Sequence, residues 1–255
     1  MITGNSECES LSRPPQNYIA GRTHIYPHRE TPMHPELRRC AELSLEAYSD
    51  MPGRLAQKFQ NKFTSAEFFV IDADKVYLVH KGTMERRDIL IDLLACPVRY
   101  LKTWVHGGFA LQHKSVKKKL RKIFEKVKDS GKPLIITGHS LGAAQASLSM
   151  LMAQQMGISA TLVCFGKPRV YLKKKRSRFP KGSVLSVCSG SDIVTRLPRF
   201  LYTVGCQDQD FLYLANDNNN YLNPKPEFVE SDFSIKDAVS DHSMELYLQR
   251  ALEVV

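Results

Sequence analysis

The chain has 255 residues and a formal net charge of +10, from 36 Lys and Arg against 26 Asp and Glu. A 43% hydrophobic and 24% charged content excludes a disordered chain, and this length buries a full core without disulfide staples. No run approaches the ~18 to 20 apolar residues of a membrane-spanning helix, and the acidic first ten residues lack the apolar stretch of a secretory signal, so the reading is a soluble protein, cytoplasmic by default.

Residues 1–35 are polar, carry five prolines (14, 15, 27, 32 and 35) and show no period, which reads as an extended arm. The domain proper is expected over 36–255. Leu37, Cys40, Ala41, Leu43, Leu45 and Ala47 mark a helix through about Tyr48. Two strand patterns, 67–72 and 75–80, flank a tight Asp72-Ala73-Asp74 turn and predict a hairpin. A helix fits 115–129, where Val116, Leu120, Ile123, Phe124 and Val127 form one apolar stripe with a lysine face opposite. A buried strand fits 133–137, a helix 141–156, strands 161–165 and 184–188, and a further strand 200–204; a terminal helix starts near Ser243. Short apolar strands alternating with helices predict an α/β fold whose sheet is covered on both faces.

The basic excess sits in two places. Residues 114–127 and 172–181 together hold 13 bases and one acid, which leaves the rest of the chain close to neutral. Such clusters can meet anionic surfaces, but a charged helix face and a lysine-rich loop are the favoured reading. The six cysteines (8, 40, 96, 164, 188, 206) form no CxxC pair, so neither a zinc site nor a redox motif is expected. Cys164 and Cys188 lie in apolar strands, where Cys acts as a small hydrophobe.

Gly138-His139-Ser140-Leu141-Gly142 fits G-x-S-x-G between a predicted buried strand and a predicted amphipathic helix, the context of a nucleophile elbow. The serine must occupy a sharp strand-to-helix turn, and a side chain at 138 or 142 would crowd it. The helix that follows aims backbone N–H groups at the reaction centre. A hydroxyl nucleophile needs a base, and the base needs an orienting acid. In the chain order of such sites the acid and then the histidine follow the serine, and His242 is the one histidine after Ser140. Seven aspartates follow (192, 208, 210, 217, 232, 237, 241). Asp192 comes directly after the strand 184–188, where a doubly wound sheet collects its functional residues. Asp208 and Asp210 read as turn residues, and Asp241 is too near His242 in sequence to orient it easily.

Together these residues resemble the class 3, fungal-type lipases, over about residues 38–250. The marks are Lys81-Gly82-Thr83, Val105-His106-Gly107-Gly108-Phe109, the elbow, Phe165-Gly166-Lys167-Pro168-Arg169-Val170, Asp192-Ile193-Val194 with Leu197-Pro198, and Asp241-His242. The resemblance implies an α/β-hydrolase fold with a mostly parallel central sheet and helices on both faces. It implies a Ser140, Asp192, His242 triad, an oxyanion hole from Thr83 and the Leu141 N–H, and Asp92 orienting the Thr83 hydroxyl. His106 matches a structural histidine. No metal or organic cofactor is implied. The implied substrate is an acylglycerol or related lipid ester; the alternatives are a phospholipase A, a small-ester esterase, or an inactive hydrolase-fold protein that binds membranes. Nucleic acid is not an expected partner.

Departures bear on substrate. Lys81 stands where the family usually has Arg, Tyr171-Leu172 replaces Gly-Asn, and the lid stretch from Met84 has Ile where many members have Trp. The connection from Pro97 to His106 reads as short. Arg86, Arg87 and Lys102 near Ile89, Leu90 and Leu93 suit anionic lipid head groups.

Overall fold

The computed structural model describes residues 34–51, 56–61, 64, 66–82, 96–172, 179, 183–198, 202–203, 210–214, 220–222, 234 and 236–253. Residues 1–33 of the N-terminal arm, the lid stretch with Thr83 and Asp92, and the basic run 173–178 lie outside them.

The first helix, α1 (Leu37–Glu46), ends in a 3-10 turn at Ala47–Ser49. It is followed by β1 (Gln57–Asn61), β2 (Ala66–Asp72) and β3 (Val76–His80). Then come β4 (Pro97–Tyr100), β5 (Thr103–His106), α2 (Gly107–Ser130), β6 (Leu134–His139) and α3 (Leu141–Gln155). The remaining elements are β7 (Ala160–Phe165), β8 (Tyr171–Leu172), β9 (Val184–Ser189), β10 (Tyr202–Thr203), β11 (Asp210–Leu214), β12 (Asn220–Leu222) and α4 (Met244–Leu252).

An eight-stranded sheet runs β1-β2-β3-β6-β7-β9-β11-β12. Its interior pairings, β3 to β6, β6 to β7, β7 to β9 and β9 to β11, are parallel, with antiparallel pairs at both edges. The period-2 alternation of strand side chains divides the core. Leu134, Ile136, Leu162 and Cys164 pack with α2 and α3, while Ile135, Val163 and Phe165 face α1 and α4. Helices therefore cover both faces, as the sequence implied. The hairpin β2–β3 pairs Asp72 with Val76 across the turn foreseen there.

Four elements differ from expectation, each for a physical reason. The helix expected at 115–129 starts at Gly107, because Phe109, Ala110 and His113 extend the buried stripe and packing outweighs the low helix propensity of two glycines. It stops at Gly131, which takes the left-handed φ of 67°. The stretch from Pro97 to His106 is no mere connection but the antiparallel hairpin β4–β5, which joins β8 and β10 in a second, four-stranded sheet. Lys102 sits in its turn. The strand expected at 200–204 is described as Tyr202–Thr203 and pairs in this small sheet. Strand β1 is polar, Gln-Lys-Phe-Gln-Asn, and carries no alternation to read.

Two buried histidines link the layers. Tyr100 Oη lies 2.8 Å from His113 Nδ1, His113 Nε2 lies 3.0 Å from Ser149 Oγ, and the same hydroxyl lies 2.9 Å from His80 Nε2. This relay joins β4, α2, α3 and β3. Burial holds the His80 ring down to about 3, and burial, with His80 and Lys117 adding to it, holds His113 well below the ordinary histidine value. Both rings are therefore neutral in the folded chain at physiological pH. Unfolded, each takes up a proton below about pH 6.5, so the stability that neutral burial allows is complete above that pH and is lost on acidification. The expected slope is about 1.4 kcal/mol per pH unit for each ring, over the window from about 6.5 down towards the folded values. Urea unfolding midpoints measured from neutral pH down to about 4.5 check this: His113→Gln should give a visibly shallower decline than the unaltered chain.

Candidate active site

Strand β6 runs fully buried to His139, and helix α3 starts at Leu141. Ser140 makes the whole reversal between them, with φ 59° and ψ −127°. That backbone is strained for a residue with a Cβ. It is held because Ser140 N–H donates to Phe165 O at 3.0 Å while Ser140 O accepts from Ala143 N at 3.0 Å. The flanking glycines are required by contact. A Cβ on Gly142 would fall 2.9 Å from the His80 and Lys81 carbonyl carbons, and one on Gly138 would fall 2.6 Å from the Gly142 carbonyl carbon. The first turn of α3 and the end of β3 thus touch backbone to backbone. The turn does not expose the serine to solvent: Ser140 is 1% accessible, and its hydroxyl is presented to another side chain.

That side chain is His242, carried by a 3-10 turn at Ser240–His242 just ahead of α4. His242 Nε2 is 2.8 Å from Ser140 Oγ, and His242 Nδ1 is 2.8 Å from Asp192 Oδ2. A carboxylate only accepts, so Nδ1–H donates to Asp192 and Nε2 accepts from the serine hydroxyl. Asp192 is completely buried three residues past the end of β9. Its Oδ1 accepts from Val194 N–H at 2.8 Å, and its Oδ2 accepts a second bond from the Tyr247 hydroxyl at 2.6 Å. The structure therefore brings together Ser140, Asp192 and His242, with Leu141 opening the helix beside them. Thr83 and Asp92 lie outside the described residues. The chain leaves β3 through Lys81, which pairs with Asp50 at 2.8 Å and Glu67 at 3.3 Å.

Asp241 does not compete for the imidazole. Its Oδ2 accepts from Ser191 N–H at 2.6 Å, and its Oδ1 lies 3.4 Å from Arg250 Nη2. Burial pushes this carboxyl up, and the Ser191 N–H and Arg250 oppose the shift. Asp210 is the first residue of β11, and Asp208 lies outside the described residues.

Three further groups contribute that sequence reasoning had not assigned. Tyr247, one turn into α4, is fully buried; its hydroxyl accepts from Ser189 N–H at 3.0 Å as it donates to Asp192. Burial, with the Asp192 charge adding to it, raises that phenol well above its ordinary value, so it stays a donor. Gly166, with φ 56°, follows β7 where a Cβ would fall 2.9 Å from Asp192 Oδ2 and 3.0 Å from His242 Nδ1. The glycine of the Phe165–Val170 mark leaves room for the His242–Asp192 hydrogen bond. His139 lies against His242 with ring centroids 4.6 Å apart and shares a 2.7 Å hydrogen bond through Nδ1 with Tyr48 Oη. Burial, reinforced by His242, keeps this ring neutral. Among the described residues no group of three His, Cys, Asp or Glu is placed to hold a metal ion.

The arrangement matches known proteins. The model of the family Lipase (class 3) matches residues 54–202, a span that includes Ser140 and Asp192 and stops short of His242. Diacylglycerol lipase-beta of Mus musculus is 27% identical over 153 residues, 54% of this chain and 23% of the relative. Diacylglycerol lipase-alpha of Rattus norvegicus is 33% identical over 144 residues, 49% of this chain and 14% of the relative. The chain thus spans under a quarter of the length of these curated relatives. Among solved structures, the triacylglyceride lipase of Rhizomucor miehei superposes with a TM-score of 0.64 at 21% identity, over 81% of this chain and 91% of that one. The lipase of Rhizopus microsporus var. chinensis gives 0.63 at 20%, over 85% and 92%. At such identities the likeness speaks to fold, which is that of the α/β-hydrolases. With more than half of its length matched by the family model, on a fold shared with fungal lipases, the chain belongs to the class 3 lipase family.

Proposed function

We propose that this chain is a serine carboxylic-ester hydrolase acting on acyl-glycerol or related lipid esters, and that residues 36–255 form its catalytic domain. The observation that carries the reading is the imidazole of His242 bridging Ser140 Oγ and Asp192 Oδ2 at 2.8 Å on each side. A structural serine needs no such bridge; a nucleophile does. The substrate class follows from the family and from the names of the relatives, which are diacylglycerol and triacylglyceride lipases.

In this reading His242 takes the Ser140 proton as Oγ attacks the ester carbonyl, and buried Asp192 stabilises the imidazolium. The oxyanion is met by the Leu141 N–H, at the positive end of α3, and by Thr83, assigned through its likeness to the family's position, with Asp92 orienting the threonine hydroxyl. His242 then gives its proton to the leaving alcohol. Water, activated by the same ring, releases the fatty acid from the acyl-enzyme. Every step uses the chain's own groups. The neutral His139 supports the base without adding a competing charge beside it. Tyr247 fixes Asp192 through a bond that a phenylalanine cannot make.

Ser140→Ala should abolish hydrolysis of p-nitrophenyl esters and labelling by a fluorophosphonate while leaving the circular dichroism spectrum and urea midpoint unchanged. Labelling that persists in the variant would remove the assignment. A panel of short- and long-chain esters and labelled phospholipids separates acyl-glycerol hydrolysis from phospholipase or small-ester activity. Tyr247→Phe deletes one donor to a buried carboxylate, a bond worth roughly 1.5–3 kcal/mol, so kcat/KM should fall by roughly 10- to 100-fold.

A further inference from the structure

Of the Asp241-His242 mark, the proposed reaction uses only the histidine. Its neighbour Asp241 is 3% accessible, and a carboxylate so placed costs free energy unless its oxygens are met. Both are met. Oδ2 accepts from the Ser191 N–H at 2.6 Å, and Oδ1 lies 3.4 Å from Arg250 Nη2. Ser191 precedes Asp192 as Asp241 precedes His242, and each contact, 191 to 241 and 192 to 242, spans 50 positions. For two consecutive residues the loop past β9 and the 3-10 turn at Ser240–His242 therefore run side by side. The direction of donation reverses between the two contacts: the loop donates at Ser191 and accepts at Asp192.

Arg250 carries this link into α4. Its Nη1 donates to Ser189 Oγ, so one guanidinium reaches both the last residue of β9 and Asp241, a task that suits a planar fork better than a single ammonium. Tyr247 and Arg250 are three positions apart and share a face of the helix. They address Ser189 together, Tyr247 through its N–H and Arg250 through its hydroxyl. Other bonds also join the two segments: Ile193 N–H donates to Ala238 O at 3.0 Å, and Ser234 N–H donates to Ser191 Oγ at 2.6 Å. These hold the path of the loop. Among the described residues, Asp241 is the side chain that ties the residue before Asp192 to the turn that carries His242.

The need for such a tie is physical. In the reaction proposed above, His242 keeps Nδ1 on Asp192 while Nε2 takes and returns a proton, and misplacement by a fraction of a bond length slows such a step steeply. The turn itself is three residues long, with few hydrogen bonds of its own to hold an imidazole against a carboxylate from another segment. We propose that Asp241 is a positioning residue, whose carboxylate, steadied by Arg250, brackets the Asp192 loop to the His242 turn and so keeps the imidazole on its carboxylate. The bracket stands on geometry alone; its use in ester cleavage rests on the hydrolase reading above.

Asp241→Ala removes both contacts, whereas Asp241→Asn keeps an amide oxygen for the Ser191 N–H. Each full-length variant is compared with the unaltered chain by two readouts. One is the far-downfield proton NMR line of His242 Nδ1–H, identified by its absence from a His242→Ala chain; the other is the kinetics of a water-soluble short-chain p-nitrophenyl ester. In the alanine chain the line should vanish into solvent exchange, and kcat per folded molecule should fall by roughly 10- to 100-fold with KM changed by less than about 2-fold. The asparagine chain should regain the line and come within about 3-fold of the original kcat, because its hydrogen bond to Ser191 survives. A residue that served the fold alone would lower the urea midpoint and leave both readouts of the alanine chain as they were. That result overturns the proposal, as does the loss of only one readout in a chain that cleaves ester, or an asparagine chain no better than the alanine one. If circular dichroism shows the alanine chain unfolded, Asp241→Ser, whose hydroxyl falls short of the Ser191 N–H, takes its place in the same comparison. An NMR line that is lost with alanine and kept with asparagine, in a chain that cleaves no ester, upholds the bracket and removes the hydrolase reading.

Discussion

The chemistry of this chain depends on one backbone reversal that sterics oppose. Ser140 adopts a left-handed φ of 59° with a side chain attached, a conformation that costs on the order of 1–3 kcal/mol. Its surroundings leave no alternative. Strand β6 is buried on both faces and hydrogen-bonded to β3 and β7, α3 is buried almost all round, and the two glycines touch backbone on either side. A rigid turn fixes the hydroxyl, so the Asp192 carboxylate and the His242 imidazole have to be brought to it from elsewhere in the chain. The segments just past β7 and β9 and just ahead of α4 do this: Gly166 makes space, Asp192 enters buried, and His242 spans the gap.

Much of this was legible in the sequence. The elbow could be read because its glycines, its apolar strand and its helix all point to one geometry. His242 emerged from chain order alone, and Asp192 from its place after an apolar strand. What stayed hidden consists of contacts between distant segments. Tyr247 reads as an ordinary apolar position on a terminal helix, since nothing local says that its hydroxyl meets Asp192. The Tyr48–His139 bond joins residues 91 positions apart. Strand β1 lacks a hydrophobic pattern because it is an edge strand, and the β4–β5 hairpin turns through Leu101 and Lys102, both at positive φ without a glycine to announce it.

The departures from the family pattern find physical places. Lys81, where Arg is usual, keeps a cation at the end of β3 and bridges Asp50 and Glu67. Tyr171, in place of a glycine, is fully buried in the small sheet opposite Val105, and its hydroxyl donates to Ser147 O at 3.4 Å. Lys167 is almost inaccessible and lies 5.9 Å from the centre of the Tyr171 ring. The replacement after Val170 is thus absorbed as packing between the small sheet and α3.

The two helices on one face of the sheet carry a consequence for biosynthesis. Leu37, Cys40 and Ala41 of α1 share a core cluster with Met244, Tyr247 and Ala251 of α4, so a ribosome makes one half of this cluster some two hundred residues before the other. Until α4 emerges and settles against α1, a nascent chain holds the serine and the aspartate with neither imidazole nor phenol beside them. Such an intermediate lacks the His242 bridge between Ser140 and Asp192, which arrives only with the closing of the fold.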